Sequence, residues 1–257
     1  MKFKVLIPDN PLFDYFVSGQ SLAETLHELE ILRLPEKNIS ELMLANRADA
    51  AVLSPIGYGM GLIKSDYRII KSHILALENF TDRASIYFKS GLKTFSSLAS
   101  NRPDDFITHI AKILLSEMYD MSVNILPSVE SNEIIREKYD SSVLWGSSGN
   151  SINTLDLSEE WFNLYEIELP VAFWVCRNQE HFEIIETLVR DLSTGAQSLD
   201  EDVSELTGPD SAEYGREGRI IRNWNENSEN AIDCALHLLY FHQYFPELPA
   251  IKILGRD

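Results

Sequence analysis

The run from Asn38 to Gly59, NISELMLANRADAAVLSPIGYG, constrains this chain more than any other segment. Leu42, Leu44 and Ala45 fall along one helical face, Asn46 and Arg47 close that helix, and Ala48 to Leu53 is an apolar run short enough for a buried strand. Ser54 and Pro55 then stop the strand abruptly. A buried strand ending in a small hydroxyl residue and a proline leaves hydrogen-bonding groups at its carboxyl edge, where open α/β sheets bind ligands. The run from Asp156 to Arg177, DLSEEWFNLYEIELPVAFWVCR, repeats the plan of a helix followed by an apolar strand. A small-molecule site at a strand edge is the first expectation.

With 257 residues and 44% hydrophobic composition, the chain suits one large α/β unit or two lobes of ordinary size. Its 40 acidic and 22 basic side chains give a formal charge of -18, which opposes the counterion-release attraction behind phosphate-backbone binding. No nucleic-acid partner is expected. An anionic ligand would meet the same repulsion, so backbone N–H groups, helix N-termini or a few placed cations must hold it locally.

The opening residues MKFKVLIPDNP offer only Val5 to Ile7 as a continuous apolar run, too short for a signal-peptide core, and no segment approaches the ~20 apolar residues of a membrane span. The expected address is the cytoplasm, with no membrane partner. Cys176 and Cys234 sit in apolar surroundings without Cys-x-x-Cys spacing, which predicts two buried thiols rather than a disulfide. The six histidines include no His-Glu-x-x-His and no His/Cys cluster, so no metal is expected. Gly57, Gly59 and Gly61 alternate but lack the lysine and spacing of a phosphate loop.

Elsewhere the pattern predicts a strand over Phe3 to Ile7, a loop carrying Asn10 into a helix near Pro11, an amphipathic segment Leu22 to Leu34, and extended segments at Ile69 to Ala76 and Ser85 to Phe88. A second α/β set follows: a helix over Phe106 to Tyr119, a strand Val123 to Leu126, a helix Glu130 to Tyr139, and a strand Ser142 to Trp145 ending at Gly146. Leu169 to Cys176 returns the chain to the first set, ahead of a helix over His181 to Leu192. Ser198 to Glu217, with seven acidic residues against one arginine, reads as a solvated helix and loop, and Ala231 to Phe245 as a core helix. The boundaries so read are 1–82 for lobe 1, 83–175 for lobe 2 and 176–257 for the return to lobe 1, joined by strands rather than a loose linker.

Several of these segments carry a resemblance: Asn10-Pro11-Leu12, the strand Asp49 to Ser54, Ser85 to Ser90, Thr108 at the head of a helix ending Lys112 to Leu115, Asp156 to Trp161, and Leu169 to Val175. In this order and spacing, across most of the first 180 residues, the chain resembles the menaquinone-biosynthesis family of the futalosine route, the MqnA-type chorismate dehydratases with their MqnD relatives. The resemblance implies an α/β, two-lobed, type II periplasmic-binding-protein-like fold with a ligand cleft between lobes. It also implies a lyase that takes chorismate to 3-[(1-carboxyvinyl)oxy]benzoate without a cofactor. Asn10, Ser54, Ser85, Thr108, Gly146 and Ser147 would then bind the substrate, and His109 would be the group able to move protons near neutral pH.

Two departures from the family pattern stand beside the matches. Thr108 is followed by His109 where the family usually shows a Thr-Ser pair, and Gly146 by Ser147 where it shows an acid. Plainer roles exist for each residue: Asn10 as a cap before Pro11, Ser54 as a strand-ending hydrogen bond, Thr108 and His109 as a helix start, Gly146 and Ser147 as a tight turn. Asp156 with Ser158, Glu159 and Glu160 reads as an ordinary helix start. The second function class is accordingly a non-catalytic protein, monomer or homodimer, that closes on a small anionic metabolite.

Overall fold

The computed structural model describes residues 2–26, 28–92, 94–146, 153–177, 182–194, 200–206 and 215–256. They form two compact units, one of Met1–Ala76, Pro170–Asp200 and Ile221–Asp257, the other of Leu77–Leu169 and Glu201–Ile220. The acidic segment from residue 201 to 220 thus clusters with the second unit, whereas the sequence reading returns everything after 175 to lobe 1.

In the first unit, β1 (Lys2–Pro8) lies between β2 (Glu28–Leu34) and β3 (Ala50–Leu53), parallel to both. Val5, Leu6 and Ile7 have no exposure, as expected of a strand covered on both faces. β10 (Leu169–Arg177) runs antiparallel to β3. With β4 (Tyr67–Asn79), and with β11 (Glu201–Leu206) and β12 (Gly215–Asn223), whose residues up to Ile220 cluster with the second unit, these strands make a seven-stranded sheet in the order β11-β12-β4-β10-β3-β1-β2. α2 (Glu36–Leu44) buries Ile39 and Met43, one turn apart, and leads into β3 as the sequence predicts.

The amphipathic segment Leu22 to Leu34 is two elements, a short α1 (Gln20–Leu26) and the edge strand β2. Glu28 to Leu34 alternates in a way that also satisfies a helical stripe. Pairing with β1 decides for the strand, helped by Lys2 and Lys4 reaching Glu30 at 3.2 and 3.6 Å. α3 (Pro55–Leu62), α7 (Phe182–Ser193) and α8 (Ser228–Phe241) complete the helices of this unit. Trp174 and Phe173 are fully buried, Trp174 edge-on to Phe16 at 5.7 Å and Phe173 edge-on to Tyr58 at 5.6 Å.

The second unit is built on a five-stranded sheet in the order β7-β6-β8-β5-β9. Its strands are β5 (Ala84–Phe88), β6 (Ser97–Ser100), β7 (Asn124–Pro127), β8 (Ser141–Trp145) and β9 (Thr154–Asp156). α4 (Phe106–Tyr119) connects β6 to β7, and α5 (Asn132–Lys138) connects β7 to β8. Right-handed crossovers in opposite directions put these two helices on opposite faces of the sheet. α6 (Leu157–Tyr165) follows β9 and buries Trp161 completely.

Where the sequence reading has a solvated helix, residues 201–206 form β11 and residues 215–217 open β12, paired antiparallel from Glu201 opposite Ile220 to Leu206 opposite Gly215, and residues 198–199 and 207–214 of that segment lie outside the described residues. Polar side chains hid a strand stabilised by its backbone ladder and by ion pairs, among them Arg83 with Glu201 at 2.8 Å, Arg219 with Glu78 at 2.8 Å, and Arg216 with Glu159. Gly218 is required there: a Cβ would lie 1.9 Å from the Phe80 carbonyl oxygen. No helix among the described residues is long and apolar enough to cross a membrane.

Candidate functional site

In the first unit, parallel pairing of β1 with β3, Leu6 opposite Ala51, brings the carboxyl ends of both strands to one sheet edge. Asn10 caps the 3-10 helix Pro11–Val17, its Oδ1 accepting the Leu12 N–H at 3.0 Å. Ser54 caps α3, with Oγ 3.5 Å from the Gly57 nitrogen, and is 5% exposed. Each is followed by proline, which is pre-set for the first helical position and lacks an N–H that would need a partner. The structure therefore brings Asn10 and Ser54 to the same edge, with both caps made. The cap uses the amide oxygen of Asn10 and leaves its nitrogen as the group to offer an oxyanion.

The glycines of α3 serve packing. A Cβ at Gly57 would meet Ser40 Oγ at 2.8 Å, one at Gly59 the Phe245 ring at 2.4 Å, and one at Gly61 the Tyr67 ring at 1.8 Å. Close approach of α3 to its neighbours accounts for the alternation.

In the second unit, β6 and β8 are parallel neighbours, and their carboxyl ends again share an edge. Thr108, fully buried in the first turn of α4, donates its hydroxyl to the Arg102 carbonyl at 2.8 Å and lies 3.2 Å from Ser100 Oγ. Ser100 Oγ accepts the Arg102 N–H at 3.0 Å, so the two hydroxyls clamp both sides of one residue in the β6–α4 loop. Asp105, the residue before α4, is 4% exposed; its Oδ2 accepts the Trp145 indole N–H at 3.1 Å and stands 3.7 Å from the Arg102 guanidinium. Asn132 donates to the Trp145 carbonyl at 2.9 Å and accepts from Asn101 at 2.9 Å. Gly146 follows at φ 106, a backbone that favours glycine, with its N–H on the Arg83 carbonyl at 2.8 Å.

His109 is half-buried on α4, and its pKa lies below the ordinary histidine value, chiefly through burial, with Asp104 opposing and Lys112 adding to the shift. The imidazole is thus mainly neutral near pH 7 and able to accept a proton. Ser85 is not part of this group. It is 1% exposed on β5 and, two residues before Tyr87, shares the face that α5 covers through Ile135. Ser147 lies outside the described residues.

Ser100, Arg102, Asp105 and Trp145 are the residues of this edge that sequence reading missed. The available signal was Ser100-Asn101-Arg102-Pro103, a serine and a proline after an apolar pair, much as in Leu53-Ser54-Pro55. Among the described residues, no group of three or more His, Cys, Asp or Glu side chains is placed to hold a metal ion.

No protein-family model matches the sequence, and no curated protein matches it either. Solved structures do. Protein AF1704 from Archaeoglobus fulgidus superposes with a TM-score of 0.60 at 13% identity, covering 95% of this chain and 98% of its own. An ABC transporter from Parabacteroides distasonis gives 0.57 at 13% identity over 100% and 99%. The alkanesulfonate-binding protein SsuA from Xanthomonas axonopodis pv. citri, bound to MOPS, gives 0.52 at 9% identity over 97% and 96%. At such identities the likeness is one of fold: a mixed α/β, two-lobed, periplasmic-binding-protein-like architecture.

Proposed function

We propose that this chain binds a small anionic metabolite and acts on it as a chorismate-dehydratase-like lyase. The observation that carries the reading is the Ser100–Arg102–Thr108 clamp at the head of α4 in the second unit. Small hydroxyls, a helix start and an arginine whose backbone is fixed are what a carboxylate-bearing substrate needs on a protein of charge -18.

In the dehydration, the proton on the ether-bearing ring carbon is removed, its electron pair becomes the new ring double bond, and the neighbouring carbon–hydroxyl bond breaks. The hydroxyl leaves as water once protonated, and the ring becomes aromatic. His109, neutral near pH 7, has the chemistry to take that proton and return it to the leaving hydroxyl. Neither a metal nor an organic cofactor is needed for this balance.

One observation favours the second reading, capture without chemistry. The Thr108 hydroxyl is already committed to the Arg102 carbonyl, so it fixes the loop rather than facing a reacting group. Incubation of the protein with chorismate, followed by ultraviolet spectrum and mass, separates the two. Loss of one water supports the lyase, intact bound chorismate the receptor, and absence of binding removes both readings for this substrate.

A further inference from the structure

In the second sheet, α4 takes the chain from β6 outward to β7, and α5 then carries it back past β6 to β8, so the strand order reverses between β6 and β8. The strands β7, β6 and β8 are parallel, and a reversal of this kind opens a crevice beyond their carboxyl ends. Asn101 follows β6 directly, Trp145 ends β8, and Asn132 opens α5.

Two side-chain amides join these ends, and the direction of the relay they form is forced. The Trp145 carbonyl can only accept a hydrogen bond, so the atom 2.9 Å from it is the Asn132 Nδ2, which turns the Asn132 Oδ1 the other way. That oxygen can only accept in its turn, so the Asn101 atom 2.9 Å from it is Nδ2. Asn101 Oδ1 is thereby fixed as the outer end of the relay. It has no hydrogen-bond partner among the described residues, and Asn101 is half-buried, which leaves this acceptor open to a ligand.

An amide free to flip offers either a donor or an acceptor and discriminates little. Locked through the Trp145 carbonyl, Asn101 offers an oxygen, one residue before the Arg102 whose backbone the two hydroxyls clamp. Such an oxygen repels an oxyanion and attracts a hydroxyl. On the reading that this edge receives an anionic ligand, we propose that Asn101 determines specificity: its Oδ1 accepts a hydrogen bond from a hydroxyl of the ligand, so the site prefers a hydroxylated carboxylate to the same carboxylate without the hydroxyl. Asn132 is the positioning residue that sets the direction of the Asn101 amide.

The test titrates the full-length, 15N-labelled protein with benzoate, 3-hydroxybenzoate and 4-hydroxybenzoate, followed by amide shifts. The better of the two hydroxybenzoates should bind about three- to tenfold more tightly than benzoate, with saturable shifts at Asn101 and Arg102. Asn101→Ala should erase that preference and leave benzoate affinity within about twofold. Asn132→Ala, which frees the Asn101 amide to turn, should narrow the preference without erasing it, a graded response that a merely structural asparagine does not produce. Should Asn101→Ala fail to fold by circular dichroism, Asn132→Ala carries the test. Equal wild-type affinity for all three probes, binding of none, or a preference unchanged in these variants overturns the proposal. The lyase reading is judged apart from this by chorismate turnover: chorismate left intact while the hydroxybenzoate preference holds removes the lyase and supports the role of Asn101.

Discussion

Asp156 ties together several parts of the second unit, and its removal can be worked through. Oδ1 accepts the Ser158 and Glu159 N–H groups at 3.0 Å each and the Ser158 hydroxyl at 2.6 Å, while Oδ2 accepts the Asp82 N–H at 2.8 Å. The side chain thus caps α6 and ties it to the turn before β5, at 2% exposure. Asp156→Ala removes a helix cap worth about 1 kcal/mol and leaves the Asp82 N–H short of a partner at about 1–3 kcal/mol, while the Ser158 hydroxyl keeps Thr81 Oγ1 at 2.7 Å. The sum is about 2–4 kcal/mol, a melting-temperature loss on the order of 10 °C for a chain of this size. Asp156→Asn keeps an acceptor for the cap and turns an amide donor toward the Asp82 N–H, so it should cost about 1–2 kcal/mol. Burial raises the carboxyl pKa despite these donors. A raised acid contributes stability that is fully present below its unfolded value near 4 and is lost as pH rises through the folded value. The difference between wild type and Asp156→Asn should therefore be largest in acid and shrink above about pH 4. Urea denaturation at several pH values measures all three quantities, and an Ala variant costing less than about 1 kcal/mol would refute the reasoning.

Gly61→Ala gains helix propensity of about 1 kcal/mol but drives a methyl to 1.8 Å from the Tyr67 ring, so a net loss of about 1–3 kcal/mol should appear in thermal unfolding. His109→Ala should leave chorismate binding within about twofold and slow turnover about 10²-fold, with the wild-type rate falling as pH drops through a pKa below the usual histidine value. A normal rate in that variant would remove His109 from the chemistry. Arg102→Gln should weaken binding of an anionic substrate about tenfold and reduce the salt dependence of that binding, read by calorimetry at two ionic strengths. Burial pushes the Cys176 and Cys234 thiols up to about 12 and about 11, so iodoacetamide at pH 8 should label both only after denaturation, followed by intact mass.

The elements that sequence reading placed well are those in which burial and local pattern agree. β1 and β3 are continuous apolar runs, and α4 shows an unbroken helical stripe that buries Phe106, Ile110 and Leu114. The missed elements hold together by long-range pairing. β11 carries Glu201, Asp202 and Glu205 and becomes a strand only because β12 lies beside it and Arg83 reaches Glu201 across 118 residues. β2 offers a helical and a strand pattern at once, and only its register with β1 separates them. At the candidate site, Asn10 and Ser54 were legible because a proline after a capping residue is a local signal. The contact of Asp105 with Trp145, 40 residues away, leaves no trace in spacing. Ser85 was placed with Thr108 by order along the chain, but strand alternation sends it to the face under α5.

The clamp on Arg102 carries the argument about charge one step further. A cation beside the start of a helix faces the positive end of the backbone dipole, an unfavourable placement taken alone. Here Ser100 holds the Arg102 N–H, Thr108 holds its carbonyl, and the Asp105 oxygen that accepts the Trp145 indole N–H stands 3.7 Å from the guanidinium. Two buried hydroxyls thus fix the backbone of Arg102 beside the helix start. An anion at that loop would relieve the repulsion from both the arginine and the helix start. With a formal charge of -18, the chain needs a local cation of this kind wherever it is to hold an anion.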